Sequence, residues 1–370
     1  MSVARQHANS VWTSFRAVAT PLSWLGRRGR GAAAPINLAL QGGGAHGAFT
    51  WGVLDRLLED GRLRFDAVSG ASAGAMNAVV LAAGLAEGGP AAARTKLDAF
   101  WAAVSDAGRA TPFALAGLWQ TGMMAAAMEP VRRAAMDVAS RLVSPYQFNP
   151  ANRNPLRDVL ASLVDVKRLR RDAPVALYIS ATDVATGRAR VFETGELSLD
   201  AVLASACLPQ LQQAVKVGRR HYWDGGFTSN PPILPLVHGR HARDSLIVQL
   251  DPMREAGLPQ TPAHITERLN NIIFNAPLRR EIAAIQQHRA TPVIGPVTIG
   301  RQRRARRHRF HHIAAGRHTR GLGPGSKLTP DRDLLCLLRD AGREVAGRWL
   351  AKHLDAVGRR STIDLDETFL

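Results

Sequence analysis

Between residues 36 and 85, short apolar runs alternate with segments of helical period, and that order leaves few folds open. Residues 36–40 form a short, mostly apolar run, broken only by Asn37, that stops near glycines as a buried strand does. Ala45, Ala48, Phe49, Val53, Leu57 and Leu58 then recur near helical spacing across residues 45–59, and Gly61 follows as a helix stop. Residues 65–68 form a second run and residues 73–85 a second helix. This β-α-β-α order predicts an α/β chain with a mostly parallel sheet and helices on its faces. Further along, residues 174–182 predict a central strand and residues 188–193 an antiparallel return. Residues 199–207 predict a helix stopped before Pro209. Residues 215–222 read as a hairpin about Gly218, residues 245–250 as a core strand, and residues 265–287 and 331–356 as long helices.

The glycines after the first strand have two readings. Gly42, Gly44 and Gly47 fit the G-x-G-x-x-G dinucleotide fingerprint. Equally, Gly42, Gly43 and Gly44 expose backbone N–H groups with no side chains in the way, as an oxyanion hole requires. The second motif separates the two. Gly70-Ala71-Ser72-Ala73-Gly74 is G-x-S-x-G between a strand and a helix, the context of a nucleophile elbow. A nucleotide-binding dehydrogenase using Gly42, Gly44 and Gly47 would leave that motif unexplained. It would also need an acidic residue ending the second strand, whereas Asp66 precedes that strand's apolar residues. A serine nucleophile needs a base. None of the ten histidines after Ser72 falls in a convincing strand-end loop. Asp224 does, ending a predicted strand before Gly225, Gly226 and the stiff loop Asn230-Pro231-Pro232.

In this order, Gly42-Gly43-Gly44-Ala45-His46-Gly47, Gly70-Ala71-Ser72-Ala73-Gly74 and Asp224-Gly225-Gly226 resemble the patatin-like phospholipases, a family of acyl hydrolases. The resemblance covers residues 37–251. It implies a three-layer α/β/α fold, a Ser72–Asp224 dyad without histidine, and an oxyanion hole from the Gly42, Gly43 and Gly44 amides. Neither metal nor organic cofactor is implied. The family usually has Arg or Lys where this chain has His46. If that cation supports the glycine loop, His46 makes the support pH-dependent.

Three segments lie outside these motifs. Residues 1–34 carry a basic cluster after a mildly apolar stretch, the reverse of a secretory signal, and read as a disordered leader or a surface helix. Residues 35–255 read as the catalytic domain, and residues 256–370 as a C-terminal helical extension. Residues 110–150, with Phe113, Trp119, Met123, Met124, Met128 and Met136 and few charges, read as core, as a lid or as an acyl-chain channel. Residues 301–320 hold eight arginines and read as a solvated basic stretch or a site for anionic headgroups. Phe310 is their lone aromatic, which argues against nucleic-acid stacking.

Composition narrows the class further. An apolar fraction of 46% and a charged fraction of 21% exclude wholesale disorder and a coiled-coil rod. Two cysteines cannot build a disulfide scaffold and read as buried thiols in a reducing compartment. The net charge of +18, nearly all of its cations arginine, reads as compositional drift or as attraction to an anionic partner, a membrane surface or nucleic acid. No apolar run is long enough to span a bilayer. The expectation is a cytoplasmic lipid-ester hydrolase, peripheral at the membrane, with a non-catalytic membrane-associated scaffold as the alternative.

Overall fold

Side chains alternate along β1 (Ala34–Leu40) and so assign the two faces of the central sheet. Ile36, Leu38 and Leu40 enter one apolar cluster and Ala39 the other, the pattern of a strand covered on both sides. The computed structural model describes residues 33–109, 143–290, 296–322 and 324–370. Nearly all of the predicted leader and most of residues 110–150 lie outside the described residues.

From β1 the chain passes through a 3₁₀ turn (Gly44–His46) into α1 (Gly47–Asp60), closed by Gly61 at φ 73°. Next come β2 (Leu63–Gly70) and α2 (Ala73–Arg109), which breaks at Gly88 and Gly89. Short helices α3 (Pro145–Phe148), α4 (Pro155–Leu163) and α5 (Val166–Asp172) lead to β3 (Ala176–Asp183) and its antiparallel return β4 (Ala189–Glu193). Then α6 (Leu199–Ser205) precedes the hairpin of β5 (Val215–Val217) and β6 (Arg220–Asp224). The remainder is α7 (Leu234–His238), β7 (Asp244–Gln249), α8 (Pro262–Ala290), α9 (Pro296–Arg307), β8 (Arg309–Ala314), α10 (Arg332–His353) and α11 (Leu365–Phe369).

The sheet runs β5-β6-β3-β2-β1-β7-β8, with β4 paired to β3. Pairing is parallel from β3 through β2, β1 and β7 to β8, and antiparallel where β4, β5 and β6 join. The fold is therefore α/β with a mostly parallel sheet between helical layers, as expected. In the β1–β2 pairing Ile36 opposes Phe65, but Leu38 opposes Val68, so β2 holds one extra residue. That bulge switches the facing of side chains along β2. Phe65 and Val68 therefore share one cluster, while Ala67 faces the other.

The C-terminal segment is largely helical and also supplies β8. Its helix α10 crosses α1 at two glycines. A Cβ on Gly52 would strike the Arg339 carbonyl, and one on Gly342 would strike the Phe49 carbonyl. Asp55 on α1 pairs with both Arg94 and Arg343, tying α1 to α2 and α10. The Arg-rich stretch is not one solvated loop. Within it, Phe310 and His311 are buried in β8, and Arg309 pairs with Asp244 at 2.6 Å. Arg301, Arg303, Arg307, Arg317 and Arg320 stay exposed. Cys207 is buried as expected, but Cys336 is only half-buried.

Candidate active site

Three strand ends meet at one edge of the sheet. β1 lies between β2 and β7, so the loops after β1 and β2 open a crevice at the carboxyl ends of parallel strands. Ser72 sits in the turn from β2 to α2 at φ 51°, a left-handed backbone rare for a non-glycine residue. Its N–H is shared by the Ser205 carbonyl at 3.1 Å and the Ser205 hydroxyl at 3.0 Å, at the end of α6. The motif glycines are steric necessities. A Cβ on Gly70 would strike the Gly74 backbone, and one on Gly74 would strike the Leu40 carbonyl. The helix α2 starts directly behind Ser72 and directs its positive end at the serine.

Asp224 ends β6 and is wholly buried. Its N–H donates to the Cys207 carbonyl at 2.8 Å, and its own carbonyl accepts the Thr182 hydroxyl at 2.7 Å. A Cβ on Gly225 would strike Ser180, and one on Gly226 would stand 2.6 Å from the Phe274 ring. The sequence Asp-Gly-Gly is thus fixed by close approach as much as by turn conformation. Burial pushes the Asp224 pKa up to about 7, while Ser72 and the Gly226 N–H draw it partly back down. The Gly226 N–H binds Oδ1 at 2.7 Å. Oδ2 has no hydrogen bond of full geometry. The serine hydroxyl therefore lies within electrostatic reach of the carboxyl without a closed hydrogen bond, a looseness common before substrate binds.

Gly42 lies against the elbow: a Cβ on it would stand 2.8 Å from both the Ala71 carbonyl and the Ser72 Cβ. The three predicted oxyanion donors are not equivalent. The Gly42 N–H donates to Asn230 Oδ1 at 2.7 Å and is occupied. Among the described residues, the N–H groups of Gly43 and Gly44 make no hydrogen bond. Gly44 has φ 58°, and its α-carbon abuts the Lys327 carbonyl.

Residues unmarked by any motif hold this loop. The Gln41 side-chain oxygen accepts the N–H groups of Leu250 at 2.7 Å and Asp251 at 3.0 Å. Its amide donates to Asn275 on α8 at 2.9 Å. Lys327 pairs with Asp251 at 2.6 Å. His46 Nε2 lies 2.7 Å from the Ser326 hydroxyl. Burial, and secondarily Lys327, hold the His46 pKa down at about 4. His46 is therefore neutral near pH 7, and the expectation that it makes loop support pH-dependent there is corrected. The cation beside the loop is Lys327, from a segment 280 positions away. Sequence gave one faint sign of it, since only five of the 48 basic residues are lysines. Ser205 and Gln41 carried none. Asn230 was marked only as part of a stiff loop. Asp66, the acid that a dinucleotide site would need, accepts the Ala242 N–H at 2.7 Å in β2, away from the glycine loop.

A family model described as patatin-like phospholipase matches residues 38–237. No curated protein sequence matches the chain. Among solved structures, VipD from Legionella pneumophila is similar at 14% identity over 86% of this chain and 67% of that one, with a TM-score of 0.42. The ExoU–SpcU complex from the type III secretion system of Pseudomonas aeruginosa matches at 18% identity over 88% of this chain, with a TM-score of 0.35. The chain spans 53% of the matched chain in that complex. The family match runs from within β1 into α7, more than half of the chain, and makes this protein a member of the patatin-like phospholipase family, a family of ester hydrolases.

Proposed function

We propose that the protein cleaves fatty-acyl esters of lipids, with Ser72 as nucleophile, Asp224 as its base, and the Gly43 and Gly44 amides as the oxyanion hole. The observation that carries this reading is a wholly buried carboxyl with its pKa raised to about 7 beside a serine on a strained elbow. A base with that pKa works near neutrality without a histidine. Ser72 Oγ attacks the acyl carbonyl and its proton passes to Asp224. The tetrahedral oxyanion is met by the Gly43 and Gly44 N–H groups and by the positive end of α2. Collapse expels the alcohol, which takes the proton from Asp224. Water, deprotonated in turn by Asp224, releases the fatty acid and restores Ser72. The Gly42 N–H, held by Asn230, shapes the loop instead of meeting the oxyanion. The catalytic unit takes in residues 35–255 together with β8 and α10 from the C-terminal segment.

The net charge of +18 favours a peripheral position at an anionic, cytoplasm-facing membrane. Among the described residues, no helix is long and apolar enough to cross a membrane. The test is labelling with a fluorophosphonate probe. The parent should label and Ser72→Ala should not. An unlabelled parent that nonetheless turns over a short-chain ester, or a labelled Ser72→Ala, overturns the assignment.

A further inference from the structure

Helix α8 is apolar on two opposite faces. Asn271, Asn275, Leu278, Ile282 and Ile285 form the buried one. On the other side Ile265, Leu269, Ile272 and Ile273 fall within one arc of the helix. They are 42%, 53%, 49% and 45% exposed, respectively. Over the eight steps from Ile265 to Ile273 the stripe is about 12 Å long. Leu258, just before the helix, is 82% exposed. A contiguous apolar stripe left in water is costly and marks an interaction surface. Arg280 extends the same arc two turns beyond Ile273 and is exposed.

The opposite side of the same helix packs on the candidate site. Phe274, next in sequence to Ile273 but turned to the inner side, packs tilted at 5.2 Å against Phe227 and closes over Gly226, next to Asp224. Its carbonyl accepts the Asn230 side-chain amide at 3.1 Å. Asn275 holds Gln41 before the glycine loop. The inner side of α8 thus covers both loops of the proposed site, and the stripe lies on the far side of the same helix.

We infer that the outer face of α8 (Ile265, Leu269, Ile272 and Ile273) inserts into the surface of an anionic lipid bilayer and so delivers the crevice to its substrate. This rests on the lipid-ester reading above. A bilayer fits better than a second copy of the chain. The helix that bears the stripe also covers the proposed site for lipid esters, and a chain of net charge +18 is repelled by itself and attracted by anionic headgroups. Helices that lie in a membrane interface bury an apolar face of this kind and gain from nearby cations.

The experiment is co-sedimentation with vesicles of phosphatidylcholine and phosphatidylglycerol, using full-length Ser72→Ala so that no lipid is consumed. Two double variants are added to it, Ile265→Ser with Leu269→Ser, and Ile272→Ser with Ile273→Ser. Each pair should weaken vesicle affinity at least about tenfold, a loss of 1.4 kcal/mol, with unchanged far-ultraviolet circular dichroism. Unchanged affinity in both folded variants overturns the inference. So does a parent dimer by light scattering that both pairs convert to monomer, since the stripe would then face a second copy. Fluorophosphonate labelling of the parent reads the hydrolase assignment separately, so the two can fail independently.

Discussion

Asn230 holds the N–H of Gly42 at 2.7 Å and thereby joins the loop after β6 to the loop after β1. The same side chain donates to the Phe274 carbonyl, so one amide ties together both loops of the proposed site and α8. Asn230→Ala removes a buried acceptor and a buried donor, which should cost about 1–3 kcal/mol of stability. It should also lower kcat at least about tenfold with KM little changed, because the oxyanion amides lose alignment only in the transition state. Short-chain ester kinetics and a urea titration read both effects. Parental kcat in Asn230→Ala would remove Asn230 from the positioning role.

As the proposed base, Asp224 should link activity to pH while opposing stability. Its carboxyl is raised from 3.8 to about 7 in the folded protein. A raised carboxyl favours folding fully below the unfolded value and loses that contribution as pH rises through the folded one. The loss between pH 4 and 7 is on the order of 4 kcal/mol. Asp224→Asn should therefore raise Tm at pH 8, and the gain should vanish toward pH 4. The same variant should lose at least about 10²-fold in kcat. In the parent, kcat/KM should climb with pH and level off above about 7. A profile already flat from pH 5, or an active Asp224→Asn, would count against the base.

Buried histidines push the other way. His46 and His238 are held down at about 4 and His308 at about 3, chiefly by burial. A depressed histidine contributes stability above its unfolded value near 6.5 and loses it as pH falls toward the folded value. The Asp224→Asn background removes one opposing carboxyl, leaving Glu281 and Glu193, which burial also raises. There Tm should fall steadily from pH 7 to pH 4, and His308→Asn should flatten the slope. A Tm independent of pH across that range would contradict the burial of these rings. No ionisation of His46 should appear in kcat/KM between pH 5.5 and 8.

Lys327 supports the glycine loop from the C-terminal segment. Its ammonium neutralises buried Asp251, and its carbonyl backs Gly44. Lys327→Met should leave a buried charge unpaired and lower kcat about tenfold with a smaller change in KM. Lys327→Arg should restore most of the lost turnover, which a purely structural packing role would not require. Equal kcat in parent and Lys327→Met would reject the support.

The sequence determined what local chemistry alone can set. The apolar runs around Ile36, Phe65, Leu177 and Leu246 are strands, because buried parallel strands have no polar face to hide. Gly70, Gly74, Gly225 and Gly226 mark close approaches that any side chain would block, so their motifs were readable before the contacts were known. Tertiary structure alone decided the rest. Period and spacing hold no record of which distant side chains meet. The tie of Ser205 to the elbow spans 133 positions, that of Asn230 to Gly42 spans 188, and that of Ser326 to His46 spans 280. The pKa of Asp224 follows from a burial that only the assembled layers create. Likewise β8 hides within an arginine-rich stretch, since Phe310 and His311 become core only once Arg309 meets Asp244 beside β7.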